Sequence, residues 1–267
     1  MYKLWFKKTF VVATVSLLSF TAARSADIST TRGMISLSGE IVTGDAERFA
    51  TSLQLQKPVV FLNLNSPGGD LQETMRIVSL VKGAHLEIEI SKGKYCISSC
   101  FFLFVAARYR MASAARDDGS FAPQSKRDNL RGVVGVHRPY FKNASGNVSV
   151  VEKQEVMMLG VRKYLSANGV AQYIIDEMMS RPSNDVYWLR EADLERIGEY
   201  SAGDEEAVIE KCGYKRFDMR ERENWSEERR AIVMNCELDF WFARYMPLQK
   251  QFIVRLQTGW RPWKKMN

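Results

Sequence analysis

The chain has 267 residues, of which 46% are hydrophobic and 26% are charged, and its formal net charge is +7 at pH 7. That length and apolar content suit one large folded core, with or without an appendage, and exclude global disorder. The positive charge is concentrated after residue 243, where six Lys and Arg residues occur without any Asp or Glu. No zinc-finger spacing, phosphate-binding loop or RNA-binding signature accompanies this charge, so the sequence argues against a nucleic-acid partner.

The N-terminus has the pattern of an export signal. Lysines at positions 3, 7 and 8 precede an apolar segment at 9–20, and Ala23 and Ser25 supply small residues for a cleavage site after Ser25. The apolar segment is shorter than the about 20 residues that a membrane-spanning helix needs. We therefore expect residues 1–25 to be a signal peptide and the mature protein to be periplasmic. An uncleaved signal that anchors the chain is the alternative.

Four cysteines fit an oxidising compartment. Cys212 and Cys236 both lie in the C-terminal region and could close a loop there. Cys96 and Cys100 have three interpretations: packed core thiols, disulfide partners or reactive thiols. Neither histidine lies close in sequence to a pair of cysteines, so we predict no metal site, and no sequence feature requires a cofactor.

The first half of the chain alternates strand and helix patterns. These patterns predict strands at 34–42, 59–64 and 86–90 and helices at 46–55 and 71–83. The run VVFLNL at 59–64 is typical of a strand buried in a parallel sheet. Strands that alternate with helices in this way predict right-handed parallel units and an α/β core.

The second half is less regular. A short polar turn leads at residue 98 into an apolar block that predicts a buried helix, and the polar stretch 108–131 predicts an irregular insertion or loop. Further patterns predict strands at 133–137 and 186–188 and helices at 150–165, 170–179 and 191–197. Beyond residue 203 the sequence becomes charged and contains tryptophans, so we interpret 26–202 as the core and 203–267 as a C-terminal extension.

Two loops are expected at the same edge of the sheet. The loop Ser66-Pro67-Gly68-Gly69 follows a predicted strand, and Ser98 stands between a strand and the apolar helix. Catalytic loops of parallel α/β sheets gather at the carboxyl ends of the strands. Ser98 either caps the buried helix or acts as a nucleophile whose oxyanion is stabilised by that helix's free N–H groups.

A serine nucleophile needs a base within hydrogen-bond reach, and the chain has only two histidines, His85 and His137. We expect His85 at the opposite end of the sheet, whereas His137 ends a predicted strand at the same edge as Ser98. A carboxylate would then orient the imidazole. Asp70 is assigned to capping the helix that follows it. The agreement between loop, serine and histidine favours a nucleophile at Ser98.

An ordered set of motifs runs through the core: SPGG at 66–69, the Ser98 turn, VHRP at 136–139 and DVYWL at 185–189. This set resembles the Clp protease proteolytic subunit and its relatives in the ClpP/crotonase superfamily, over about residues 33–200 of this chain. The resemblance is greatest to exported Clp-protease-like proteins of bacteria. It implies an α/β, crotonase-like (ClpP-type) core built as a repeated ββα/βα spiral, followed here by a mainly helical C-terminal extension.

The resemblance also implies a role for each site residue. In that family an alanine follows the nucleophile by eight residues, a spacing that selects Ser98 here. The N–H groups of Gly69 and Ser99 would bind the oxyanion. His137 would be the base and Asp185 the acid that orients it.

Two further residues are expected at the substrate site, and one departs from the family pattern. Gly68 lets the backbone approach a substrate closely. Arg138 could hold a substrate carboxylate, although a solvated or salt-bridged arginine is the alternative. Cys100 stands where the family usually has glycine.

These residues predict an exported serine hydrolase, most simply a peptidase for peptides or unfolded protein. The family's cytoplasmic enzymes work with an ATP-driven unfoldase, which is not expected in a periplasm. The alternative from another class is a non-catalytic scaffold or binding protein that retains the fold. A coenzyme A-dependent crotonase-type enzyme is disfavoured because an exported protein would not meet that cofactor.

Partners follow from the same resemblance and from the C-terminal tail. Family members often form rings or stacked oligomers, so a homo-oligomer is expected. The basic, tryptophan-containing tail is interpreted as a packed helical appendage, with contact to an envelope polymer or a membrane surface as the alternative.

Overall fold

The computed structural model describes residues 25–55, 58–113, 132–140, 148–201, 203–213 and 225–265. The predicted signal peptide, apart from its last residue, and most of the predicted insertion lie outside the described residues. Among the described residues, no helix is both long enough and apolar enough to cross a membrane.

Short strands alternate with helices along the core. The strands are β1 (Asp27–Thr31), β2 (Met34–Ser38), β3 (Phe61–Asn65), β4 (Glu87–Glu89), β5 (Tyr95–Ile97), β6 (Arg110–Met111), β7 (Val133–Val136) and β8 (Tyr187–Trp188). The helices are α1 (Asp45–Leu55), α2 (Leu71–Gly83), α3 (Cys100–Ala106), α4 (Val148–Ala167), α5 (Gln172–Ser180), α6 (Glu191–Ile197), α7 (Asp204–Cys212) and α8 (Glu227–Gln257). A 3₁₀ turn at Pro262–Lys265 follows α8.

The strands form two sheets. The larger has the order β1-β2-β3-β4-β6 and is parallel except for β1, which pairs antiparallel with β2. The smaller has the order β5-β7-β8, with β5 parallel and β8 antiparallel to β7. Within the described residues two isolated bridges join them, one between Ser66 and Cys96 and one between Ser113 and Val133. The core is therefore of the predicted α/β class, built from two sheets that contain parallel strand pairs, with helices between their strands.

Helix α3 lies at the centre of the core, and every one of its residues is buried. Its sequence, CFFLFVA, has no polar face because the helix is enclosed on all sides. Burial of each large apolar side chain contributes roughly 1.5–3 kcal/mol, so α3 is a rigid support for the turn that precedes it.

Helix α2 begins where the sequence predicts. Asp70 is its N-cap, and the side chain of Asp70 accepts a hydrogen bond of 3.0 Å from the N–H of Glu73, which confirms the capping assignment. Glu73 is itself buried and accepts bonds of 2.9 and 2.8 Å from the N–H groups of Gly44 and Ala46. The first turns of α1 and α2 are therefore tied together directly below the SPGG loop.

Three strands differ from the prediction. β1, β5 and β6 were not predicted as strands, because β5 and β6 have only three and two residues and β1 is largely polar. Each is held by pairing with a neighbour in space, not by its own periodicity. The strand predicted at 34–42 ends earlier, at Ser38, before the positive-φ residue Gly39.

The segment after residue 203 is mainly helical, as predicted, and it packs against the core. The side chains of Trp241 and Gln249 on α8 are fully enclosed, and Leu256 joins the main hydrophobic cluster. A disulfide between Cys212 and Cys236 links α7 to α8. Together these contacts place α8 across α1 and α2.

Candidate active site

The smaller sheet brings the three predicted catalytic residues to one edge. β5 and β7 run parallel, and Ile97 pairs with Gly135 at their carboxyl ends. Ser98 directly follows β5 and donates its N–H to the carbonyl of Gly135 at 3.1 Å, while His137 directly follows β7. β8 runs the other way, so Asp185, two residues before β8, returns to this edge.

Ser98 occupies a tight turn between β5 and α3. Its φ of 58° is in the left-handed region, which residues other than glycine seldom adopt. The N-cap position of α3 belongs to Ser99, and no side-chain cap bond is made there. Ser98 is therefore not the cap of this helix. It is partly exposed, and its hydroxyl has no hydrogen-bond partner within the described ranges.

Ser99 differs from Ser98 in what its hydroxyl does. Ser99 is buried, and its hydroxyl shares a hydrogen bond of 2.9 Å with the hydroxyl of Thr74, which is also buried. Of the two adjacent serines, Ser98 thus has the available hydroxyl. The sequence did not indicate Thr74 as a site residue, although its position one helical turn after Asp70 places it beside the SPGG loop.

His137 is buried, with 6% of its surface exposed. Its Nδ1 lies 3.0 Å from the carbonyl oxygen of Arg138. Because a carbonyl can only accept, this contact selects the tautomer that carries its proton on Nδ1. The other nitrogen, Nε2, is then the free acceptor that a general base requires.

Asp185 makes a different contact. Its carboxylate accepts a hydrogen bond of 3.0 Å from Nη1 of Arg181, and its side chain is 49% exposed. Arg181 also pairs with Glu177, and its carbonyl accepts the N–H of Arg138 at 3.1 Å. Arg181, which the sequence analysis missed, therefore connects the Asp185 loop to the residue after His137. The role of Asp185 as the orienting acid stays a prediction.

The SPGG loop packs against the Ser98 turn. Ser66 donates its N–H to the carbonyl of Tyr95 and accepts the N–H of Ile97, at 2.8 and 2.9 Å. A Cβ atom on Gly68 would lie 2.7 Å from the carbonyl oxygen of Ile97 and 2.8 Å from the nitrogen of Ser99. Only glycine fits this contact, and Gly68 also has a φ of 89°.

Gly69 is fixed from its other side. Ile41 donates to the carbonyl of Gly68 and accepts from the N–H of Asp70, both at 2.8 Å. In such a parallel bridge the N–H of the intervening residue, Gly69, points away from Ile41. A Cβ on Gly69 would lie 2.1 Å from the Ile41 carbonyl oxygen, so this residue too must be glycine. The N–H groups of Gly69 and Ser99 make no backbone hydrogen bond within the described part of the chain.

Cys96 and Cys100 form a disulfide. Ser98 is the middle residue of the segment that this bond closes, and both cysteines are fully buried. The bond decides among the three interpretations that the sequence left open. The spacing alone could not, because cysteines four positions apart can be either bonded or free.

A groove of about 470 Å³ is lined by Arg138, the residue that follows His137 in the sequence, and by residues of α4. Arg138 itself is exposed. Met158 and Leu159 on α4 line the apolar part of the groove, and Arg162 at its end pairs with Asp176 at 2.8 Å.

A second cavity, of about 260 Å³, lies at the opposite end of α3. His85, Arg108 and Arg110 line it together with Lys82. His85 is therefore far from the edge that carries Ser98, at the end of the sheet that the sequence indicates.

Comparison with known proteins finds similar solved structures but neither a family model nor a curated sequence. No family model matches the sequence, and no curated protein matches it. A point mutant of ClpP1 from Listeria monocytogenes is 15% identical, with a TM-score of 0.44 over 63% of this chain and 88% of that one. ClpP1 from the same organism is 14% identical, with a TM-score of 0.43 over 62% and 88%.

A further solved structure is that of a point mutant of the 1510-N membrane-bound stomatin-specific protease. It is 16% identical, with a TM-score of 0.41 over 67% of this chain and 84% of that one. At such identities and TM-scores these matches assign this chain neither a site nor an activity.

Proposed function

We propose that the protein is an exported serine hydrolase, a peptidase that cleaves peptides or unfolded protein without an ATPase partner. Ser98 attacks the carbonyl carbon, and His137 takes the serine proton and later gives it to the leaving amine. The N–H groups of Gly69 and Ser99 hold the oxyanion, while Asp185 assists His137. Water then releases the acyl group by the same route.

One observation supports this proposal above the others. Ser98 has a positive φ and a hydroxyl without a hydrogen-bond partner among the described residues, and it lies at the edge of the smaller sheet where His137 also lies. A non-glycine residue held in this conformation costs of order 1–3 kcal/mol, and such strain concentrates at active sites. Ser99 next to it has an ordinary conformation and a bonded hydroxyl.

The groove lined by Arg138 supports a peptide as the substrate. Its Met158 and Leu159 suit an apolar side chain, and Arg138 at its margin suits a carboxylate. Export is supported by the cysteines, since all four are paired in disulfides. Disulfides are rare in proteins of the reducing cytoplasm.

The test is covalent labelling with a fluorophosphonate, which reacts with an activated serine hydroxyl. We expect the wild type to be labelled and Ser98→Ala and His137→Gln to lose the label. Ser99→Ala should still be labelled, although more slowly, because this variant keeps the backbone N–H and loses only the bond to Thr74. Ser180→Ala, at an exposed serine on α5, is the matched control.

A non-catalytic scaffold that retains this fold is the second candidate. The pairing of Asp185 with Arg181, and not with His137, favours it. Absence of labelling in the folded wild type, with both disulfides closed, would favour the scaffold over the hydrolase.

A further inference from the structure

The Ser98 turn has a backbone conformation, with a positive φ, that a serine disfavours. Serine has a Cβ that conflicts with the backbone at positive φ, and Ser98 has a φ of 58°. Hydrogen bonding fixes the two ends of the turn: the N–H of Ser98 bonds to Gly135, and its carbonyl accepts the N–H of Phe101 at 3.0 Å. Something must prevent these bonds from opening and the turn from relaxing.

The disulfide is placed to do this. It joins the residue two positions before Ser98 to the residue two positions after it, and the two Cα atoms are 5.3 Å apart. Four residues of extended chain would span about 13 Å, so the bond excludes every extended conformation of 97–99. Cys96 is itself fixed in β5 by pairing with Val134.

We infer that closure of the Cys96–Cys100 disulfide positions Ser98, so that the hydrolase becomes active only after oxidation outside the cytoplasm. This inference rests on the proposed function. The cysteines are positioning residues: neither sulfur needs to touch the substrate, and the bond acts through the backbone of Ser98 and the N–H of Ser99.

The chemistry of closure is a thiol–disulfide exchange. A disulfide-form oxidant, such as oxidised glutathione, accepts attack by one cysteine thiolate and releases one reduced thiol. The second cysteine thiolate then attacks the mixed disulfide and releases the second thiol. Two cysteine thiols and one oxidant disulfide thereby give the Cys96–Cys100 bond and two reduced thiols, with electrons and protons balanced.

Burial makes this closure a maturation step. Both cysteines are 0% exposed in the folded protein, so an external thiol has no path to the bond. The disulfide forms while the chain folds and is then protected from reduction. A chain that folds in a reducing cytoplasm would have the same core and an unpositioned serine.

The second disulfide provides a matched control. Cys212 and Cys236 are 24 residues apart, against 4 for Cys96 and Cys100. Loop-closure entropy grows with the length of the closed loop, so Cys212–Cys236 should contribute more to stability. It lies between α7 and α8, away from Ser98, and should contribute nothing to labelling.

The experiment compares the double variants C96S/C100S and C212S/C236S with the wild type. Three quantities are measured: the melting temperature, the second-order rate constant of fluorophosphonate labelling, and amide hydrogen exchange of peptides that cover 95–101. For C96S/C100S we expect labelling to fall by about 100-fold, as for a misplaced catalytic group. Its melting temperature should change less than that of C212S/C236S, and faster exchange should be confined to 95–101.

A second preparation, which keeps Cys96 and Cys100, distinguishes the effect of the missing disulfide from a folding defect caused by the substitutions in C96S/C100S. C212S/C236S is refolded either with oxidised glutathione or with dithiothreitol, so that only the Cys96–Cys100 bond differs. The oxidised form should label at the wild-type rate and the reduced form about 100-fold more slowly.

Wild-type labelling rates in both C96S/C100S and the reduced form would overturn the inference. If the wild type is not labelled at all, the proposed function fails, and the positioning role is judged by exchange alone. Unchanged exchange at 95–101 in both preparations would then overturn it as well.

Discussion

Arg108 and Arg110 carry the same buried charge in two different settings. Arg108 forms an ion pair with Glu87, and both partners are largely buried. Arg110 is 3% exposed and donates one bond of 3.1 Å to the carbonyl of Tyr200, while its Nε and Nη1 have no hydrogen-bond partner among the described residues. Burial lowers the pKa of Arg110 to about 10. Asp204 attracts the charge of Arg110 but does not hydrogen-bond to it. A buried charge without a hydrogen-bonded ion partner is costly, so the two arginines should respond differently to removal.

We predict that Arg108→Met destabilises the protein by about 3–5 kcal/mol, because it leaves Glu87 buried and unpaired. Arg110→Met removes a charge to which no carboxylate of the described ranges hydrogen-bonds, so its free energy of unfolding should stay within about 1 kcal/mol of the wild type or increase. Urea unfolding of the two variants at the same pH measures the difference. Equal losses would contradict the prediction.

His85 is the second residue whose surroundings make a prediction. It has a φ of 52°, its ring lies 4.6 Å from that of Tyr245, and burial lowers its pKa. Arg108 and Arg244 lower this pKa further, while Asp204 opposes them. In the folded state His85 therefore stays neutral at a pH where the unfolded chain already binds a proton.

The unfolded chain binds more protons below the ordinary histidine pKa of about 6.5, so stability should fall as the pH decreases through that value. His85→Asn should reduce this fall, because asparagine does not titrate and tolerates positive φ. The measurement is the difference in melting temperature between about pH 7.5 and about pH 5.5. A wild-type difference that persists unchanged in His85→Asn would exclude His85 as its source.

At the scale of elements, the site depends on two turns that meet, the SPGG loop and the Ser98 turn. The sequence predicts both turns and the helices that follow them, because Asp70 is a good cap and CFFLFVA is continuously apolar. It does not predict β5, since three residues at 95–97 form a strand only through pairing with β7. Nor does it predict that Ser66 bonds to β5, which is what brings the two turns together.

We predict that Gly68→Ala abolishes labelling of Ser98 and destabilises the protein. The new Cβ would meet backbone atoms of Ile97 and Ser99, neither of which can move without moving the Ser98 turn. Gly93→Ala is the matched control, because Gly93 has a φ of 73° but nothing within 4 Å of its added Cβ. Gly93→Ala should cost only the backbone strain of about 1–2 kcal/mol and leave labelling intact. Loss of labelling in both variants would show that strain alone explains the effect.

At the scale of the whole molecule, the C-terminal helix α8 packs back against the core. The composition after residue 203 is typical of a charged extension and does not show that one face of α8 is buried. Trp241, Tyr245, Gln249, Ile253 and Leu256 recur every three or four residues and are all buried. This spacing of buried residues can be found in the sequence, but a glutamine among them and arginines beside them made the buried face hard to recognise.

Asp185 is a further contact that the sequence does not predict in full. The motif predicts its position near β8 but not its bond to Arg181.

Gln249 shows how a polar residue can belong to the core. Its side-chain amide accepts the N–H of Val59 at 3.1 Å and donates to the carbonyls of Val59 and Ala84 at 2.6 and 2.8 Å. It therefore satisfies backbone groups just before β3 and at the end of α2. Gln249 is 1% exposed, so water cannot replace these bonds.

We predict that Gln249→Met destabilises the protein by about 3 kcal/mol, because three buried backbone groups lose their partner. For a chain of this size the loss corresponds to roughly 6–12 °C in melting temperature. Gln251→Met, two residues later at an exposed position of the same helix, should leave the melting temperature unchanged. Labelling of Ser98 below the transition should be the same in both variants, because α8 packs away from the sheet edge that carries Ser98. If Gln249→Met has the same melting temperature as Gln251→Met, the Gln249 amide is dispensable, and the apolar residues of α8 alone hold this helix against the core.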